Sequence, residues 1–350
     1  MNAAIFAGSA QWVAASADSR VVGLFRKNCA ADDWRQLHSG LPAHVEVRAL
    51  AIHPQDTGTI LAATQVGPYR STDSGDTWTA MNFPLEAVCW SILYAPNDPR
   101  TIYCGTVEMG VFCSHDEGRS WTEFSIAEPQ GLCKMGFPTR VIALAADPSS
   151  PQLLYAALEV GGLVRSIDAG ATWQDCNAPL MGFAAHARYK SQLFSDTDTE
   201  GMLDSHALAV SAARSGEVLL ANRMGLFRSA DGGLSWADID VGQFSPLTYA
   251  RDIIVSPHDP HTLYAALSKA AVSDEGSLYR SHDLGESWQR FDHGVEIRST
   301  LMTIAASRSS AERVYCAARR GQVFGTEDGG ASWQEHPLPR GVEGVYAIAC

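Results

Sequence analysis

The sequence predicts an all-β fold: a seven-bladed β-propeller of four-stranded antiparallel blades, its ring closed by the C-terminal strand joining the first blade. Three observations carry this expectation. One octapeptide, Ser/Thr-x-Asp-x-Gly-x-Ser/Thr-Trp, recurs six times, with a seventh, decayed copy near the N-terminus. The intervals between copies hold short runs of β-branched and aromatic residues bounded by Pro, Gly, Asn and Asp, which are strand signals. The two chain ends read as complementary parts of one repeat.

Taken in order, Ala4 to Ser9 resembles Leu263 to Ser268, a second strand, and Val22 to Arg26 resembles the third strand ending at Arg280. The decayed octapeptide then ends at Asp33-Trp34. The complete copies run Ser71 to Trp78, Ser114 to Trp121, Ser166 to Trp173, Ser229 to Trp236, Ser281 to Trp288 and Thr326 to Trp333. In the second repeat the four strands are expected at 47–52, 59–64, 67–71 and 78–81. Helical periodicity is nearly absent. A four-stranded unit repeated at this period is a propeller blade. Val345 to Cys350 resembles the innermost strand beginning at Val141, so blade one is expected to combine 345–350 with 3–37. Residues 1–350 then form a single domain, with an insertion at 177–205 between the fourth and fifth blades. Within each octapeptide the Asp can accept backbone N–H groups ahead of it. The Gly supplies positive φ, and the Trp packs between sheets.

Composition narrows the class. Of 350 residues, 46% are apolar and 19% charged, which suits a large core and argues against disorder. No Gly/Ser tract or charge block marks a linker. The net charge of −13 disfavours nucleic acid and anionic membrane as partners. The N-terminus lacks the basic and apolar regions of a leader, and no run is long enough to span a bilayer. Cys29, Cys89, Cys104, Cys113, Cys133, Cys176, Cys316 and Cys350 form no CxxC pair. They read as buried thiols of a reduced, cytoplasmic protein. No cofactor is expected, and a divalent metal at the pore stays open.

The octapeptides resemble the bacterial neuraminidase repeats, or Asp boxes, over nearly the whole chain. Proteins with such repeats include sialidases, two-domain xyloglucanases, sortilin-type receptor domains and a photosystem II stability factor. The resemblance implies a propeller and leaves function open. It also implies that the box aspartates, Asp73, Asp116, Asp168, Asp231, Asp283 and Asp328, are structural, since the boxes lie away from the ligand face. Sialidases resemble six-bladed rings with an early Arg-Ile-Pro element. This sequence has seven repeats and no Arg-Ile-Pro.

The ligand face of such a ring carries the loops between blades and those joining second to third strands. Arg48, Arg140 and Arg251 fall at the starts of innermost strands, and Arg298 slightly earlier. Trp90 shares the place of Arg48 and Arg251, six residues ahead of the Pro that ends the strand. Second-to-third-strand loops supply Gln65, Glu108, Glu159, Asn222, Arg223, Lys269, Arg319 and Arg320. Guanidinium forks suit carboxylates and phosphates. Glu108 and Glu159, read as equivalent positions on adjacent blades, are expected to form the acid/base or nucleophile pair of a glycosidase. The competing reading is a ring of Arg–Glu pairs that seals the channel. The insertion contributes His186, Arg188 and Tyr189, and its Met181-Gly-Phe183 echoes Met135-Gly-Phe137. His44, His186, His206 and His293 lie in inter-blade loops, where one could act as a base with Tyr189 or Tyr249. No nucleophile elbow or phosphate-binding Gly loop is present.

Two functions remain. One is a hydrolase or lyase, glycosidase-like, acting on a small anionic or carbohydrate ligand. Its catalytic residues would come from Glu108, Glu159, Tyr249 and His186. Its ligand would be held by Arg48, Trp90, Arg140, Arg188, Tyr189, Arg223, Arg251, Arg298 and Arg319. The other is a non-catalytic platform for a protein partner, which predicts a plugged channel and an exposed apolar face.

Overall fold

The computed structural model describes residues 4–11, 21–28 and 33–350. Residue 3 of the expected first blade, and Cys29, lie outside them. The described strands form seven four-stranded antiparallel sheets. In the second blade the strands are Val47–Ile52, Ile60–Thr64, Gly67–Ser71 and Thr79–Ala80, within a residue or two of expectation. The first blade takes its innermost strand from the other end of the chain. Val345–Ala349 pairs antiparallel with Ala4–Ser9, which pairs with Gly23–Asn28 and then Arg35–Leu37. This pairing covers the inner edge of the Ala4–Ser9 strand and completes the first blade.

The apolar core lies between successive blades. Phe6, Leu24 and Leu37 of the first blade pack against Val47, Ile60 and Trp78 of the second. Leu61 and Ala63 of the second pack against Ile92, Ile102 and Phe112 of the third. Sheets bury both faces this way, so their inner strands read as nearly continuous apolar runs.

The octapeptide builds one turn in every complete copy. In the second blade the Ser71 hydroxyl donates to Asp73 Oδ1 (2.8 Å) and accepts the Gly75 N–H (2.8 Å). Asp73 accepts the Thr77 N–H (2.8 Å) and its hydroxyl (2.6 Å). These donors, the Thr77 hydroxyl first, pull the Asp73 carboxyl down to about 2. Gly75 has φ +87°, and a Cβ there would stand 2.8 Å from Phe6 Cε1 of the neighbouring blade. Glycine is therefore needed both for the turn and for the blade contact.

Each innermost strand carries a β-bulge near its start. The register with the second strand slips by one residue in all seven blades. The residues left unpaired are Arg48, Trp90, Ile142, His206, Arg251, Met302 and Tyr346. A bulge re-aims the side chain it carries.

The insertion is not structureless. It contains the helix Asn177–Phe183, a 3-10 turn Ala187–Tyr189 and a short helix Glu200–Leu203. Cys89, Cys104, Cys113, Cys133, Cys176 and Cys316 are free, buried thiols. No helix among the described residues is long and apolar enough to cross a membrane.

Candidate functional site

The seven bulge residues all line one cavity of about 680 Å³ at the mouth of the central channel. That volume suits a small ligand. Below them, the residue after each bulge is Ala49, Ser91, Ala143, Ala207, Asp252, Thr303 or Ala347. Six of these positions are small or hydroxylic, and Asp252 is the exception.

Trp90 is the apolar centre of one wall. The neighbouring blades each place a guanidinium over its ring, Arg48 at 4.5 Å and Arg140 at 4.4 Å from the centroid. Tyr346 meets it edge-on at 6.0 Å. Arg48 is tied to Glu46 (2.7 Å) and Arg140 to Glu159 (2.6 Å). Arg140 also covers the Phe137 ring at 4.3 Å. Burial raises the Glu159 carboxyl above the usual range, the charge of Asp204 adds to this, and Arg140 only partly opposes it.

Asp204, His206, Arg223 and Tyr249 form a second polar group in the lining. His206 Nδ1 lies 2.7 Å from the Ala250 carbonyl. A carbonyl only accepts, so Nδ1 carries the proton and Nε2 is left as an acceptor. The Tyr249 hydroxyl lies 3.2 Å from Nε2 and donates to it. Asp204 Oδ2 stands 3.4 Å from the same nitrogen and 2.5 Å from Arg223 Nη2. Burial lowers the His206 pKa, so the imidazole is neutral near pH 7. Burial works against ionising Asp204, but the His206 ring whenever it is protonated, together with Arg223, outweighs it and holds its carboxyl below the usual range. Burial pushes the Tyr249 phenol up to about 12. A proton moving from Tyr249 to His206 would create an imidazolium beside a waiting carboxylate.

Arg251 sits among these groups. Its charge bears on Glu159, His206, Tyr249, Asp252 and Tyr346. Yet its Nε is buried without a hydrogen-bond partner, and it forms no ion pair with any described carboxylate. Arg48 Nε and Nη1 and Arg223 Nε are also buried and unpartnered. Asp252 accepts the N–H groups of Ile253 (2.9 Å) and Ile304 (2.8 Å). Burial pushes this cavity-lining carboxyl up to about 6 despite those donors.

The expected residues divide. Arg48, Trp90, Arg140, Glu159, Arg223, Tyr249 and Arg251 line the cavity. Glu108, His186, Arg188, Tyr189, Arg298 and Arg319 are not among its lining residues. Glu108 sits exposed in a hairpin turn at φ +59°. It is not equivalent to Glu159. Thr106 and Leu158 hold matching places before the turn and Gly110 and Gly162 after it, so Glu159 matches Val107 and Glu108 matches Val160. One step along a hairpin reverses the facing of a side chain, and the pair does not form. Tyr189 is buried against Phe183 and Phe227. Its hydroxyl and Arg188 both meet Asp238, and Arg188 also meets Asp240 at 3.1 Å. These contacts brace the insertion on the fifth blade's outer strand. His186 is exposed. Arg298 is exposed and reaches Glu335 at 3.3 Å. Arg319 is buried, and its backbone bonds Thr300 and Gly344. Sequence reasoning named His206 without selecting it and missed Asp204, Asp252 and Tyr346. No group of three or more His, Cys, Asp or Glu side chains suited to a metal occurs among the described residues.

No family model matches the chain. A probable oligoxyloglucan-reducing end-specific xyloglucanase of Neosartorya fischeri is 24% identical over 269 residues, covering 72% of this chain and 31% of that protein. A xyloglucanase of a Paenibacillus species is 25% identical over 306 residues, covering 74% and 27%. The chain thus spans less than a third of the length of these curated relatives. Among solved structures, a GH74 enzyme of Niastella koreensis superposes with a TM-score of 0.62 at 15% identity, over 91% of this chain and 47% of that one. YCF48 bound to D1 peptide gives 0.54 at 15%, over 85% and 82%. At such identities the structural likeness speaks for the fold.

Proposed function

We propose that this propeller binds a small anionic, sugar-like ligand in its central pocket and cleaves it by general acid–base chemistry, as a glycosidase-like hydrolase or lyase. One observation carries the reading. Arg251 lines the cavity half-buried, its Nε enclosed without a hydrogen-bond partner and its guanidinium paired with no described carboxylate. Buried charge without a partner is costly, and such groups concentrate where a ligand completes them. Arg251 and Arg48 would grip the carboxylate. Tyr249, passing its proton to His206 as Asp204 steadies the imidazolium, would take a proton from the ligand or from water. Glu159, protonated more readily than a free carboxyl, would supply one to the leaving oxygen. The sequence likeness to xyloglucanases supports a carbohydrate ligand.

A thermal-shift screen against glucuronate, galacturonate and neutral sugars tests this. A ligand at about 100 times its dissociation constant adds roughly 2.7 kcal/mol of stability. The acidic sugars should shift wild type, and Arg251→Gln should keep its fold and lose the shift. Equal shifts in both proteins would refute the assignment. Products carrying a new double bond would identify elimination, and saturated products hydrolysis.

A second reading, a platform for a protein partner, is favoured by the apolar side chains exposed at the pocket mouth and by the likeness to a propeller solved with a peptide. Retention of a partner by Arg251→Gln, with no response to any sugar, would move the weight to it.

A further inference from the structure

Eight large apolar side chains are exposed among the described residues, and three of them, Leu193 (55%), Phe194 (76%) and Val272 (60%), line the mouth of this one pocket. Scattered exposed apolar residues need no explanation, but a cluster at a cavity mouth does.

The fold holds both segments in place. Glu200, itself only 1% exposed, accepts the N–H groups of Leu193 (3.0 Å), Phe194 (3.1 Å) and Ser195 (2.8 Å). Burial would raise its carboxyl, but the N–H donors of Phe194, Leu193 and Ser195 prevail and keep it ionised. Buried Thr300, just ahead of the seventh blade, fixes the sixth blade's hairpin: it donates to the Ala270 and Ala271 carbonyls (3.1 and 3.0 Å) and accepts the Ser273 N–H (3.0 Å). A buried carboxylate spent on fixing a loop tip that points apolar side chains at solvent gives the core nothing. It pre-organises a surface for something else.

We infer that the ligand is amphipathic: an acidic sugar bearing an aromatic or alkyl group on its glycosidic oxygen. The carboxylate faces Arg251 in the floor, and the apolar arm leaves between the Leu193–Phe194 tip and Val272. This rests on the reading of the pocket as an anionic-sugar site. It adds that the aglycone, and not only the sugar, is recognised.

The test compares glucuronate and galacturonate with their 4-methylumbelliferyl glycosides, and with the neutral 4-methylumbelliferyl glucoside, by titration calorimetry. Titrations use wild type and the double variant Phe194→Ser, Val272→Ser. Both changes lie at exposed side chains, so the thermal midpoint should hold. Wild type should bind one aryl uronide at least tenfold more tightly than its parent acid. Tenfold corresponds to about 1.4 kcal/mol, which about 55 Å² of apolar burial supplies. In the variant the two should bind within about twofold, with the affinity for the parent acid unchanged. Equal affinities in wild type would overturn the inference and leave the pocket reading standing. If no uronide binds, or the neutral glucoside binds as well as the uronides, both fall.

Discussion

Replacing Asp204 by Asn removes the one acidic group that answers both Arg223 and His206. The carboxylate is 4% exposed and lies 2.5 Å from Arg223 Nη2. The Asn variant would leave that guanidinium, whose Nε already has no partner, without its counter-charge in a largely enclosed site. Breaking such a buried pair costs about 3–5 kcal/mol. Unfolding entropy near 2.1 cal/mol/K per residue gives about 0.7 kcal/mol/K for a chain of this length. The melting temperature should therefore fall by about 4–7 °C at pH 7. Removing Arg223 as well, as Met, should recover much of the loss, because the penalty belongs to the charge left behind. The sign of the pH dependence follows from the lowered carboxyl of Asp204. Its stabilisation is present above the unfolded value of about 3.9 and is lost as pH falls through the folded one. The deficit of Asp204→Asn should thus shrink in acid. Differential scanning calorimetry of wild type, the two single variants and the double variant provides the measurement. A drop below about 1 °C, or a double variant no better than the sum of the singles, would refute the pairing.

Asp252 should show the opposite dependence. Its carboxyl is raised to about 6, so its contribution is full below about pH 4 and is lost as pH rises through 6. The melting temperature of Asp252→Asn relative to wild type should climb between pH 4.5 and 7.5, and a constant offset would contradict this. Deleting residues 345–350 removes the innermost strand of the first blade and exposes the ladder of Ala4–Ser9. The product should aggregate or lose cooperative melting, and a wild-type transition would rule out closure by this strand. Gly75→Ala places a Cβ against Phe6 in a left-handed turn. It should cost about 1–3 kcal/mol in denaturant titration while leaving ligand binding untouched.

Blade count, strand order and ring closure were legible because the octapeptide recurs at one place in every complete repeat and its turn is built from side chains nearby in sequence. The floor of the pocket was legible only in part. Arg48, Trp90 and Arg251 could be aligned because each precedes a strand-ending Pro by six residues. Ile142 obeys the same spacing and went unselected, being apolar. His206, Met302 and Tyr346 have no such proline to mark them. Glu108 and Glu159 were mismatched by one residue, a slip that hairpin turns of equal length conceal until the pairing on both sides is known. The partnership of Asp204 with Arg223 and His206 joins a helix end, a hairpin turn and an inner strand, which no local pattern connects.

The seven bulges also separate two tasks that a folded chain usually runs together. An unpaired residue contributes little to the ladder around it, and each ladder resumes one step later. The floor therefore works like a combination lock with seven dials, currently set to Arg, Trp, Ile, His, Arg, Met and Tyr. Each dial can be turned with its own ladder left paired on either side, so the lining of the pocket can vary blade by blade without a change of register.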